Sequence, residues 1–262
     1  MPSLFRCWRR NDCKDPTAKS ASAQSAATSQ EEQVAAVRAK VAEEFITGRG
    51  IEVGAGSRPF PIPAHATVLY GDIRDQASLE AYFKAAGIPS GKHIDGQSFA
   101  GIGDETLDFV ISAHVIEHLR DPVGAIANAI RVLKPGGVHV LVVPEMQATF
   151  DRNRPETPLE HVMADFRDGG EGTCRVAYEE HLRYVHPYLT GQEYPEAEIQ
   201  RQADESAKRW RECDIHFHAW TRSGFEALLA TVSLIAPFQV VHGVSVVNET
   251  VFVLRKLAGT PK

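Results

Sequence analysis

Glu52, Gly54 and Gly56 stand in the stretch GIEVGAG, and Asp72 closes the apolar run Val68, Leu69, Tyr70 that follows. In physical terms this is strand, glycine turn, strand, acid. Glycine lets the backbone approach a ligand where a Cβ would collide. A carboxylate at the tip of the neighbouring strand is positioned to take both hydroxyls of a ribose. A pyrophosphate fingerprint needs a third glycine three residues after the second, and that position is Pro59. The helix N-terminus that would hold a phosphate is lost with it. An acid at Glu52 favours a ligand that carries positive charge.

A second group, His114-Val115-Ile116-Glu117-His118, follows directly on the apolar run Leu107 to Ala113. Such a run is the pattern of a central parallel strand covered on both faces. A neutral imidazole at its end can take a proton from a hydroxyl group. The alternative for His114 is that it only lines a pocket or caps the next turn. On a helix, His114 would share a face with Glu117 and with His118. His181, His186, His216 and His218 add imidazoles, but no carboxylate–histidine spacing among them matches a metal signature, so no metal is assigned.

These residues need elements to hold them. Glu31 to Thr47 reads as a helix with Val34, Val37, Val41 and Phe45 on one face and Gly48 as its stop. The first strand is Ile51 to Val53. Pro59, Pro61 and Pro63 forbid a full helix before the second strand, so an extended loop replaces it. Asp75 to Ala86 is the next helix, and His93-Ile94-Asp95-Gly96 ends a short strand on an acid, which is equally a turn-forming Asp-Gly. Asp121 caps a helix with Pro122 at its first position. Leu133-Lys134-Pro135-Gly136-Gly137 then turns the chain into a strand from Val138 to Val143.

Taken in order, IEVGAG, Asp72, DFVISAHVIEHL and RVLKPGGVHVLVVP resemble the class I S-adenosylmethionine-dependent methyltransferases, in the group that carries HVxEH after a strand. The resemblance covers Gly50 to Pro144; Arg58 departs from it, standing where many members keep a third glycine. It implies an α/β, Rossmann-like, seven-stranded and mostly parallel sheet with an antiparallel last strand. It implies S-adenosyl-L-methionine as cofactor, with contacts from Glu52, Gly54, Ala55, Gly56, Asp72, Ile73, Asp95, Gly96 and Ala113. His114 is the catalytic candidate, because the transferred methyl group should lie beyond that strand.

Residues 145–214 form an insertion after the fifth strand, too long for an unstructured loop in a compact domain. Thr157-Pro158-Leu159-Glu160 reads as a capping box opening a helix that stops at Gly169-Gly170. Tyr178 to Val185 and Glu196 to Cys213 are further helices. As a lid or acceptor-binding unit it offers Arg152, Arg154, Tyr184 and His186 as substrate-binding candidates. His216 to Trp220 alternates like a strand, Ser223 to Glu226 caps a helix, and Phe238 to Val244 with Glu249 to Arg255 closes the sheet. The expected organisation is a tail at 1–30, a cofactor-binding core at 31–144, the insertion at 145–214, and the rest of the core at 215–262.

Residues 1–30 carry five cationic and two acidic side chains and a Ser/Ala/Thr/Gln-rich second half without periodicity, read as a disordered linker. The net charge of -6 argues against a protein held to nucleic acid by bulk electrostatics. No window reads as a membrane span, and four cysteines without a CxxC pair read as free thiols in a reducing cytoplasm. A small-molecule or saccharide acceptor methylated at oxygen is the expected substrate. Two other readings stay open: a catalytically silent cofactor-binding partner, and an NAD(P) oxidoreductase, which Pro59 disfavours. Calorimetric titration of the folded chain with S-adenosylmethionine or its demethylated product should give a binding isotherm; absence of binding would remove the methyltransferase reading.

Overall fold

Alternation along two central strands decides the layers. In β4 (Leu107–Ala113) and β5 (Leu133–Pro144), Phe109, Ile111, Val140 and Val142 face one side, while Val110, Leu141 and Val143 face the other. All seven are buried, as a parallel sheet covered on both faces requires. The computed structural model describes residues 21–89 and 91–258, with side chains of the first helix described from residue 29.

Helix α1 (Ala21–Phe45) covers the first face through Val41 and Ala42, with Ile46 beside them. Helices α3 (Pro122–Val132) and α8 (Arg222–Val232) cover the second through Ile126, Ile130, Leu228 and Leu229. The remaining strands are β1 (Gly48–Val53), β2 (Ala66–Asp72), β3 (Lys92–His93), β6 (Phe238–Val246) and β7 (Glu249–Lys256). Among the described residues they form one seven-stranded sheet in the order β3-β2-β1-β4-β5-β7-β6. β1 to β5 pair in parallel, and β7 runs antiparallel to β5 and β6. The sheet is that expected from the sequence: seven-stranded and mostly parallel, with the final strand reversed.

The chain moves outward from β1 to β2 and β3, then returns to β4 on the other side of β1. That reversal leaves a crevice at the carboxyl ends of β1 and β4, where open α/β sheets bind ligands. No helix spans β1 and β2, as the prolines dictate. Phe60 of the connecting loop is buried against the α1 face instead.

Helix α2 (Gln76–Phe83) is capped by Asp75, which accepts from the Ser78 amide, and α3 by Asp121, which accepts from Gly124 at 2.7 Å. Several boundaries differ from the sequence reading: the helix from Glu196 ends at Lys208 and not Cys213, the one expected from Tyr178 begins at Cys174, and α8 is capped by Thr221 and not Ser223. Helix α1 begins at Ala21, within the stretch read as a linker; alanine has the highest helix propensity, which a search for an apolar face does not register. The expected capping box is absent. Thr157 turns its hydroxyl to accept the Ala219 amide at 3.0 Å, and α4 (Leu159–Asp168) starts without a side-chain cap. His216 to Trp220 forms no strand; it is a buried irregular segment whose Phe217 and His218 amides both donate to the Glu117 carbonyl.

The insertion continues with α5 (Cys174–Glu180), a π-helical turn His181–Val185, α6 (His186–Thr190) and α7 (Glu196–Lys208). It has its own core of Cys174, Tyr178, Leu182, Ile199 and Ala203, and Phe217 of the returning chain packs into it. No helix among the described residues is long and apolar enough to cross a membrane. Residues 1–20, with their basic side chains, Cys7 and Cys13, lie outside the described residues.

Phe109 is wholly buried, and a Cβ on Gly50 would meet its backbone carbonyl at 2.2 Å, so β1 and β4 are fitted around it. Phe109→Ala should cost about 3–5 kcal/mol in urea unfolding, whereas Gly50→Ala should prevent native pairing of β1 with β4.

Candidate active site at the carboxyl edge of the sheet

The glycine turn closes the crevice tightly. Gly54 and Gly56 have φ of +67° and +55°, in the left-handed region that glycine tolerates. A Cβ on Gly54 would stand 2.6 Å from Val115, and one on Gly56 2.6 Å from the Phe83 ring. Asp72 ends β2, mostly buried; its carboxylate accepts from the Arg74 amide at 2.8 Å. Ile73 beside it exposes an apolar surface, 55% accessible, to this edge. Asp95 accepts from the Gln97 amide and the Ser98 hydroxyl, so it organises its own turn. Gly96 packs against Val53, and Ala113 is half-buried at the end of β4.

Glu52 is inaccessible to solvent and lies on the α1 face of β1. One oxygen accepts the Phe60 amide at 2.9 Å, anchoring the proline loop; the other has no partner. Burial pushes its pKa up to about 7, against the lowering effects of the Phe60 amide and Arg38. Burial likewise raises Asp72, with Arg74 opposing. A buried carboxyl with a spare oxygen, an acid at the end of β2 and two side-chain-free positions fit a cationic nucleoside ligand.

Beyond β4 lies a group that the sequence reading only partly assembled. His114 and His118 do not share a helix face. His114 has φ +55° at the strand end, and Ile116–His118 is a single 3-10 turn. They meet instead at Glu117, which is inaccessible and whose two oxygens have no hydrogen-bond partner. Facing Glu117 Oε1 are His114 Nδ1 at 3.6 Å, His118 Nε2 at 3.8 Å and His216 Nε2 at 3.8 Å. These are beyond hydrogen-bonding reach.

Each ring donates its other N–H to an outer carboxylate. His114 Nε2 donates to Glu249 at 2.8 Å, His118 Nδ1 to Asp214 at 2.8 Å and His216 Nδ1 to Asp151 at 2.6 Å; ionised carboxylates only accept, which fixes these ring protons. Each outer carboxylate in turn pairs with an arginine: Glu249 with Arg38, Asp214 with Arg74, Asp151 with Arg154. Burial pushes Glu117 up, but the three imidazoles outweigh it and hold its carboxyl down at about 2. Burial depresses His216 although Asp151 opposes it, whereas Glu117 and Glu249 raise His114 in spite of burial.

The substrate candidates divide. Arg154 is buried and committed to Asp151, Glu180 and the carbonyls of His216 and Phe217, so it is a strut between insertion and core, not an acceptor contact. His186 is buried inside the insertion, stacked on Tyr194, and likewise does not line the crevice. Arg152 is exposed over the Tyr188 ring, and Tyr184 is half-buried. Sequence reasoning missed Asp151, Asp214 and Glu249. Asp214 also accepts from the Tyr82 hydroxyl at 2.7 Å, which ties the end of the insertion to α2.

Residues 51–141 match the family described as methyltransferase domain. No curated protein sequence matches the chain. Among solved structures it is similar to a SAM-dependent methyltransferase from Methanosarcina mazei, at 17% identity over 83% of this chain and 97% of that one, TM-score 0.44. It is similar to the N-methyltransferase NodS of Bradyrhizobium japonicum WM9, solved with S-adenosyl-L-homocysteine, at 14% identity over 86% and 87%, TM-score 0.45. It spans 53% of the CurJ carbon methyltransferase chain, at 16% identity over 86% of its own length, TM-score 0.44. These likenesses are of overall fold and assign no residue. The family match runs from β1 into β5, includes the acids at the ends of β1 and β2, and supports an S-adenosylmethionine-dependent methyltransferase.

Proposed function

We propose that this enzyme methylates an oxygen atom of a small-molecule or saccharide acceptor. The observation that carries the reading is the pair of acids at the ends of adjacent strands, Glu52 and Asp72, on either side of a glycine turn with positive φ. Asp72 is the ribose-hydroxyl acceptor, Ile73 offers an apolar face to the base, and Glu52 supplies negative charge near the glycines. S-adenosylmethionine brings an already activated methyl group as a sulfonium, so the protein's contribution is positioning, exclusion of water and handling of a proton.

His114 is the proton acceptor in this reading. Its Nε2–H is fixed on Glu249, so Nδ1 carries the lone pair that takes a hydroxyl proton. The resulting imidazolium lies between two carboxylates, Glu249 and Glu117, which favour its charge. The chain's net charge of -6 supports a small acceptor over a polyanionic one. Arg152 and Tyr184 remain the candidates for acceptor contact from the insertion.

His114→Asn should lower turnover by about 10²–10⁴-fold while leaving affinity for the demethylated donor within a few-fold. Equal loss of both would make His114 a binding residue. Asp72→Ala should weaken donor binding by at least about tenfold, the loss of a charge-assisted hydrogen bond. Glu52 adds a linkage. With its pKa near 7 the free carboxyl is protonated at pH 6, and pairing with the donor's ammonium group requires the ionised form. Binding at pH 6 should release a proton and tighten towards pH 8. Calorimetry in buffers of different ionisation enthalpy reads this directly, and Glu52→Gln should abolish it; equal proton release from both proteins would remove Glu52 from the site.

A further inference from the structure

We propose that Glu117, His118 and His216 bind a divalent first-row transition-metal ion at the carboxyl end of β4. One ligand atom from each residue lies within 4.8 Å of the other two. Glu117 and His216 are buried, and neither Glu117 oxygen nor His216 Nε2 has a hydrogen-bond partner. With its ring proton fixed on Asp151, the inward nitrogen of His216 presents a lone pair to a carboxylate oxygen 3.8 Å away, and His118 Nε2 lies at the same distance from that oxygen. A lone pair facing an anion repels it, unless a proton or a cation stands between them.

The spacing suits that cation. Zinc–nitrogen and zinc–oxygen bonds of about 2.0–2.2 Å in a tetrahedron separate neighbouring donors by roughly 3.4 Å, a few tenths of an ångström less than the two N···O separations of 3.8 Å. Hydrogen bonds of ordinary length would demand contraction to about 2.9–3.0 Å. The outer shell has the form that metal sites use: each ligating histidine gives its other N–H to a carboxylate, which fixes tautomer and orientation. Each of those carboxylates has an arginine, Arg74 for Asp214 and Arg154 for Asp151. Glu117 has no lysine or arginine within ion-pair distance among the described residues, so its charge is the one left for an ion to balance.

Two imidazoles and one carboxylate suit Zn²⁺ or Fe²⁺ over the hard cations Mg²⁺ and Ca²⁺. The partly exposed side of the group is that of His118 and His114, each with 21% of its side chain accessible, so exchangeable positions of the ion face the crevice. The second cluster of this kind, His161, Asp165 and His218, differs. Both Asp165 oxygens are already used, one by the Thr173 hydroxyl and the other by His218 Nε2, and ordinary hydrogen bonds explain it.

The test uses the full-length chain without an affinity tag, loaded with Zn²⁺ and exchanged into metal-free buffer. Elemental analysis should find one retained equivalent. Loss of an outer-shell partner costs about 10–100-fold in metal affinity, so Glu117→Gln and His216→Ala should weaken Zn²⁺, measured against a competing chelator, by at least about 100-fold, and Asp151→Asn by about tenfold. His161→Ala, in the second cluster, should leave it unchanged. Should the variants fail to fold, the native chain still decides. Zn²⁺ should protect His118 from diethyl pyrocarbonate as mapped by mass spectrometry, and Co²⁺ should develop the visible bands of a four- or five-coordinate site. No retained metal, equal affinity in Glu117→Gln and native protein, or unprotected His118 would each overturn the proposal. None of these readouts involves the methyl donor, so failure here leaves the methyltransferase reading standing, and failure of donor binding leaves the metal site standing.

Discussion

A carboxylate sealed from water without a fixed cation beside it sets the terms for the carboxyl edge of this sheet. Burying Glu117 is unfavourable unless its surroundings supply compensating charge or hydrogen bonds. Everything packed around it does so at one remove: three imidazoles, behind each a carboxylate, behind each carboxylate an arginine. These partners come from distant elements. Arg38 is on α1, Glu249 opens β7, Arg74 lies between β2 and α2, and Asp151, Arg154 and Asp214 belong to the insertion. Core and insertion are therefore joined through charge at the point where the ligand crevice opens.

That arrangement explains why the segment from Asp214 to Trp220 forsakes regular structure. A strand would direct alternate side chains to opposite faces and use its amides in a ladder. Instead the Phe217 and His218 amides converge on the Glu117 carbonyl, and the guanidinium of Arg154 takes the His216 and Phe217 carbonyls. His216 is thereby turned inward to Glu117, while Phe217 enters the core of the insertion. One short segment joins the helices that follow β5 to the turn after β4. They are also tied to the region after β2, where Asp214 meets Arg74 and Tyr82.

Local patterns carried most of the fold into view. The apolar run of β4, the Asp121-Pro122 helix start and the prolines that abolish a helix after β1 each act over a few residues, and each is found where sequence spacing puts it. The strand, glycine turn and strand that carry Glu52, Gly54, Gly56 and Asp72 were legible for the same reason, since such a unit is local. The outer carboxylates were not. His216 meets Asp151 across 65 positions, His118 meets Asp214 across 96 and His114 meets Glu249 across 135. Nothing in a sequence marks such pairs before the chain closes. Arg154 misled for a related reason. A charged side chain is usually exposed, and only the folded chain reveals that four groups hold this one in the interior. Thr157 kept the composition of a cap, yet tertiary contact with Ala219 claimed its hydroxyl.

A crystal structure of the chain with the demethylated donor bound tests the account most directly. It predicts the ribose hydroxyls on Asp72, the base against Ile73, and the sulfur pointing across the end of β4 towards His114 and the group around Glu117. A nucleoside bound away from the ends of β1 and β2, or a sulfur directed away from His114, would contradict it.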